Sequence, residues 1–147
     1  MEIHDTVRDI LQRKNGTVWS VGPNTTVYQA IEMMAEKRIG SLLVVDEGKL
    51  VGILSERDYA RKVILKGRSS KDTAVHEIMT SPVIFVNPGY SVDECMKIIT
   101  DNRIRHLPVV DDGKVVGVVS IGDVVNWIIS AQKHAIQQLQ NYVTGKY

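Results

Sequence analysis

The chain carries two pairs of apolar runs, and each pair closes on the same polar turn. "SLLVVD" and "KLVGILS" are joined through Asp46-Glu47-Gly48-Lys49, and "HLPVVD" and "KVVGVVS" through Asp111-Asp112-Gly113-Lys114. Short apolar runs bounded by turn residues predict buried strands, and a glycine supplies the positive φ of a tight hairpin. Ahead of each hairpin the pattern changes to helical spacing. Val27, Ala30, Ile31, Met34 and Ala35 share one face, and Val92, Cys95, Met96 and Ile99 share another. Thr26 and Ser91 stand where an N-cap is needed, after the turns of "VGPNTTV" and "VNPGYSV", each of which ends a strand. A further helix is expected from Glu56 to about Lys66, and another from Ile121 onward. Each half therefore predicts a β-α-β-β-α unit, its hairpin sheet buried under two helices.

The halves are a repeat. Val21 to Ala60 matches Val86 to Val125 without a gap at a spacing of 65 residues, with identities at Val21/Val86, Pro23/Pro88, Leu42/Leu107, Gly52/Gly117, Ser55/Ser120 and Asp58/Asp123 among others. Two copies are too few for an open solenoid, so a closed pair is expected, each copy covering the other. "KGRSSKDTA" is polar and turn-rich and separates them. "VHEIMTSPV" after it is echoed by "VRDIL" near the start, three residues out of register with the main repeat, and "QRKNGTVWS" gives the first copy the longer lead-in loop. The expected domains are a first repeat with an N-terminal helix over 1–66, a linker over 67–74, a second repeat over 75–130 and a helical extension over 131–147.

The formal charge of +1 on 147 residues gives no electrostatic case for nucleic acid. No segment approaches the ~20 apolar residues of a membrane span. The single cysteine excludes an internal disulfide and fits a reducing, cytoplasmic setting. The N-terminus lacks an apolar signal core and has too few basic residues to suggest a transit peptide. No Gly-rich phosphate loop, metal-ligand cluster or nucleophile with a base nearby stands out, so neither an enzyme nor a metal requirement is expected.

The doubled unit resembles a tandem pair of CBS domains, the module named for cystathionine β-synthase. The likeness rests on the Arg-Ile-x-x-Leu-(Pro)-Val-Val-Asp run, the Gly-x-x-Ser-x-x-Asp ending and the Met-Thr-x-x-Val opening, and covers nearly the whole chain. It implies an α+β fold of two β-α-β-β-α repeats packed pseudo-symmetrically sheet to sheet, with a C-terminal helical extension. It also implies clefts that take adenine nucleotides (AMP, ADP, ATP or NAD), a regulatory role toward an unknown partner protein, and pairing into a homodimer. A protein-interaction or scaffold dimer that works without nucleotide is the competing class.

Adenosine recognition needs an acceptor pair for the ribose hydroxyls and cations or N–H groups for phosphate. Asp58 and Asp123 are acceptor-only carboxylates, Ser55 and Ser120 sit at helix N-termini, and Arg57 adds a planar cation. The resemblance implies that Asp58 shares a cleft with Pro82, Val83, Arg105 and His106, and that Asp123 shares one with Thr17, Val18, Gly40 and Ser41. Ile121 and Gly122 replace Glu56 and Arg57 there, and Lys14 is a candidate replacement cation. The Asp58 cleft is thus the one expected to favour phosphorylated ligands. Ser-x-x-Asp is equally close to a capping box, which both copies need with or without a ligand. The tail holds Val124, Val125, Trp127, Ile128, Ile129, Ile136, Leu139 and Tyr142, more apolar surface than one small domain buries. A dimer contact is expected of it, the alternative being a fold back over its own domain.

Overall fold

A computed structural model describes residues 4–14 and 16–145, so Asn15 of the lead-in loop and the last two residues of the tail lie outside it. The order is α1 (Val7–Arg13), β1 (Ser20–Val21), α2 (Val27–Lys37), β2 (Ser41–Asp46), β3 (Lys49–Ser55), α3 (Glu56–Tyr59), a π-helical turn (Ala60–Ile64), a 3-10 turn (Val75–Glu77), α4 (Val92–Asn102), β4 (His106–Asp111), β5 (Lys114–Ser120) and α5 (Ile121–Thr144). The architecture is α+β, with a three-stranded sheet ordered β1-β2-β3 and a two-stranded sheet β4-β5.

Local chemistry makes the two repeats alike. Thr26 Oγ1 accepts from Gln29 N–H at 3.1 Å, and Ser91 Oγ from Glu94 N–H at 3.0 Å, opening α2 and α4. Both helices end on an arginine in the left-handed region, Arg38 at φ 57° and Arg103 at φ 53°. The hairpins turn on Glu47-Gly48 and Asp112-Gly113, all four at positive φ, which matches the twist of the flanking strands. The helix expected over 56–66 instead divides into α3 and the π turn. Where the first repeat has β1 paired in parallel with β2, the second keeps only one bridge, Val86 to Val109.

The chain divides into two compact units, and these do not follow the sequence repeats. One joins the described part of Met1–Gly16 to Val86–Val109 and Gly117–Tyr147; the other holds Thr17–Phe85 and Val110–Val116. The cause is an exchange of lead-in segments. Val7 N–H donates to Tyr90 O and Val92 N–H to Asp5 O, so α1 is stitched to the second repeat. Val75 N–H donates to Thr25 O and Val27 N–H to Thr73 O, so the segment before the second repeat is stitched to the first. The cores repeat the pattern. Val7, Ile10, Val92, Cys95, Ile99, Leu107 and Val119 are buried in one, Val75, Ile78, Val27, Ala30, Met34, Leu42 and Leu54 in the other. Cys95 stands in Ala30's place, and burial pushes its thiol up to about 11, which keeps it an inert apolar filler. Ala35, expected on the buried face of α2, is exposed.

Val124 is the buried residue of α5, with Trp127, Ile128 and Ala131 packed partly against the same core. Trp127 is held by its indole N–H, which donates to Asp5 Oδ2 at 2.8 Å, and by the Arg13 guanidinium 4.3 Å from its ring centre. Farther along, Ile136, Leu139, Tyr142 and Val143 are 54–81% exposed, so the distal half of the helix does not fold back over its own core.

Candidate functional site: two capped carboxylates

Each hairpin delivers its last residue, a serine, to the start of a helix. At the first junction Ser55 Oγ accepts from Asp58 N–H at 3.1 Å, while Asp58 Oδ2 accepts from Ser55 N–H at 3.0 Å and from Ser55 Oγ–H at 3.1 Å. At the second, Ser120 Oγ accepts from Asp123 N–H at 3.0 Å and Asp123 Oδ2 accepts from Ser120 N–H at 2.9 Å. Both capping boxes are therefore formed. The cap fixes each carboxylate at a helix N-terminus with acceptor capacity remaining, since an ionised carboxylate offers about four lone-pair sites.

The surroundings of the two carboxylates differ. Asp58 is 14% exposed; Thr80 Oγ1–H donates to its Oδ1 at 3.4 Å, and Lys62 Nζ stands 3.3 Å from the same oxygen while donating to Ile78 O at 2.9 Å. Thr80 is fixed by a bridge to β3, its N–H donating to Ile53 O at 2.8 Å. Asp123 is 25% exposed and bonded by Lys14 Nζ at 2.7 Å, the same ammonium donating to Val118 O at 3.0 Å.

Hydrogen bonds also distribute the other site residues. Glu56 N–H donates to Gly40 O and Ser41 pairs with Ser55, which puts Gly40 and Ser41 beside the Asp58 junction. Ile121 N–H donates to Arg105 O, and the charges of Asp123 and Lys14 both act on His106, which puts Arg105 and His106 beside the Asp123 junction. These are pairings within each unit; the expected clefts that join Asp58 to Arg105 and His106, and Asp123 to Gly40 and Ser41, run between the repeats. The physical reason is the hairpin: its first and last residues are partners across the ladder, so each junction closes on the residues that open its own hairpin. Thr17, Val18, Ser55, Arg57, Asp58, Pro82 and Val83 fall in one unit, and Ser120, Ile121, Gly122 and Asp123 in the other with Lys14. Arg57, Ile121 and Gly122 are exposed. Thr80 and Lys62 were missing from the sequence reading. Thr80 lay inside the Met-Thr-x-x-Val opening, and Lys62 is four residues beyond Asp58, within reach on one helical turn.

Burial lowers the pKa of His106, and Lys14 and Arg105 lower it further against the opposing pull of Asp123. Burial works against the charged form of Asp123, but the bonds from Lys14 and Ser120 outweigh it and hold the carboxyl below its ordinary value. Both shifts have the same sign for stability. The unfolded chain takes up protons on His106 as pH falls through 6.5, and on Asp123 through 3.8, before the folded chain does. Unfolding free energy is therefore expected to decline on acidification from about pH 6.5. Urea titrations of His106→Gln against the unmodified chain check this, because the variant loses the upper part of the decline; parallel curves would contradict it.

Among the described residues no three His, Cys, Asp or Glu side chains gather as a metal site, and no helix is long and apolar enough to cross a membrane. Two repeats of helix, hairpin and helix, each closing on a capped carboxylate with a lysine ammonium beside it, define the class of the fold. The chain belongs to the CBS domain family, whose sequence pattern matches residues 7–65 and 75–130. It is 41% identical to the CBS domain-containing protein CBSX3, mitochondrial, of Arabidopsis thaliana, over 97% of this chain and 73% of that protein. Among solved structures it is similar to a CBS-domain protein from Burkholderia ambifaria MC40-6 assigned to signal transduction, 54% identical, TM-score 0.82, covering 86% of this chain and 96% of the other. The CBS domain pair of protein MJ0100, solved with 5′-methylthioadenosine and S-adenosyl-L-methionine, is 30% identical with TM-score 0.76, covering 88% and 99%.

Proposed function

We propose that the protein is a regulatory sensor that binds an adenine nucleotide (AMP, ADP, ATP or NAD) at its Ser-x-x-Asp junctions and signals occupancy to a partner protein. The observation that carries this is the pair of carboxylates, Asp58 and Asp123, each held by a backbone N–H at a helix start with a lysine ammonium beside it. A carboxylate so fixed accepts both ribose hydroxyls, and the nearby ammonium and helix N–H groups suit phosphate. The adenosine ligands of the MJ0100 pair support the same ligand class. The site residues proposed are those named above, grouped as the hydrogen bonds group them, with Thr80, Lys62 and Lys14 added. The role is binding without catalysis, and the signal is a shift in conformational populations no larger than the ligand's differential affinity for the two states. A reducing compartment such as the cytoplasm fits a buried, unreactive Cys95. Titration calorimetry of the full chain with AMP, ATP and NAD tests the reading, and no binding of any of them would leave the scaffold reading in its place.

The distal face of α5 supports self-association. Val125, Ile129, Gln132, Ile136, Leu139 and Val143 follow one another at alternating steps of four and three, the seam of a two-helix coiled coil, and all are exposed. Its occupant in this reading is the same helix of a second copy. Sedimentation at micromolar concentration is expected to give a dimer that Leu139→Glu dissociates; a monomeric unmodified chain would exclude it.

A further inference from the structure

Lys14 does by side chain what the other repeat does by backbone. Val118 and Ile53 are equivalent positions. Ile53 is fastened by a strand bridge, Thr80 N–H to Ile53 O at 2.8 Å and Ile53 N–H to Thr80 O at 3.1 Å. Val118 O is instead taken by Lys14 Nζ at 3.0 Å, and the same ammonium carries on to Asp123 Oδ2 at 2.7 Å. A backbone bridge offers no group that a ligand displaces. An ammonium on a four-carbon stem is different, because it rotates and re-pairs freely, and Lys14's side chain is 37% exposed.

The oxygen that Lys14 occupies belongs to the carboxylate that a ribose diol would take. Hydroxyls are neutral donors, so exchanging them for the ammonium costs a charge-assisted bond unless the ammonium finds a second anion. A ligand phosphate is that anion; a neutral nucleoside has none. We infer that Lys14 sets the charge preference of the Asp123 junction. In the free protein its ammonium sits on Asp123. In the complex the ribose takes Asp123 and the ammonium moves to the phosphate, so an anionic adenine nucleotide is selected over a neutral nucleoside. Lys14 also caps α1, its N–H donating to Ile10 O at 2.8 Å, so the side chain that changes partner is rooted at the end of that helix. This inference rests on the adenine-nucleotide reading and adds to it which chemical form the second junction accepts.

The test is calorimetric titration of the full chain with AMP and with adenosine. The parent and both Lys14 variants carry Asp58→Asn, so that the Asp123 junction dominates the reading, and the unmodified chain is titrated beside them. The parent is expected to prefer AMP by about tenfold, the scale of one charge-assisted hydrogen bond. Lys14→Met is expected to abolish that preference by weakening AMP while adenosine binds as well or better. Lys14→Arg is expected to restore it. An unchanged AMP-to-adenosine ratio in Lys14→Met would overturn the inference, whatever happens to the absolute affinities. A parent that binds neither ligand while the unmodified chain binds AMP would overturn it by removing Asp123 as a site. An unmodified chain that binds neither would overturn the nucleotide reading together with it.

Discussion

Gly52→Ala is expected to lower the unfolding free energy by about 1–3 kcal/mol, the usual cost of forcing an extra carbon into a filled core. A Cβ at this position in β3 would meet the Met79 side chain, whose Cγ would lie 2.9 Å away and Cβ 3.2 Å. The Met79 sulfur is closer still, but a thioether end swings aside. Its Cβ does not, because the backbone on either side is fixed: Met79 N–H donates to Val75 O, and Thr80 is bridged to Ile53. The glycine is thus the space through which the lead-in segment packs on the strand. Urea unfolding of Gly52→Ala, Met79→Ala and the double variant checks this. The double variant is expected to lose less than the sum of the singles, by a coupling of about 0.5–3 kcal/mol for residues in contact. Strict additivity would show that Gly52 and Met79 do not share that space. Gly117 stands in the same relation to Leu11, whose Cδ2 would lie 2.6 Å from an added Cβ.

Asp58→Asn and Asp123→Asn are each expected to weaken adenine-nucleotide binding by about tenfold or more, with a small effect on stability. Asparagine keeps one acceptor oxygen for the serine N–H, so the cap survives, and the lost helix-terminal charge costs about 0.3–1 kcal/mol. A ribose diol loses more, since an amide offers one oxygen where the carboxylate offered two, and no charge. Comparing the calorimetric affinity with the urea midpoint separates the two roles. Intact affinity with a lowered midpoint would make these aspartates caps alone. Neighbourhood differs too: Asp58 has Lys62 and Thr80 beside it, while Asp123 has Lys14. The two variants are therefore expected to differ in which ligand they lose.

Within each repeat the fold was legible because its determinants are local. The caps Thr26 and Ser91, the hairpin glycines Gly48 and Gly113, and the buried runs of β2 through β5 each act over a few residues, and the 65-residue spacing checked every one against its twin. Divergence between the copies hid the rest. The second repeat's first strand shrinks to the Val86–Val109 bridge, although Val21 and Val86 are the same residue type. The repeated glycines were visible at Gly52 and Gly117, but the side chains that require them, Met79 and Leu11, belong to lead-in segments lying three residues out of register, beyond the ungapped match.

The site shows the same division. Ser55, Asp58, Ser120 and Asp123 could be read from the strand-to-helix pattern, and the structure holds each in the geometry a cap needs. Which side chains gather around them depends on contacts across long stretches of chain. Lys14 and Asp123 are separated by 109 positions, Thr80 and Asp58 by 22. Arg105 and His106 stand at the Asp123 junction of their own unit through the Ile121 N–H bond to Arg105 O. The apolar stripe of α5 was apparent in sequence, but only its exposure from Ile136 onward tells an exposed face from one folded back.

Titration calorimetry of the unmodified full chain with AMP, run beside the Asp58→Asn, Asp123→Asn double variant, decides whether the two capped carboxylates hold a nucleotide. Saturable binding to the unmodified chain is expected, and its loss in a double variant of unchanged fold. Absence of binding to the unmodified chain, or equal binding by both proteins, would contradict it.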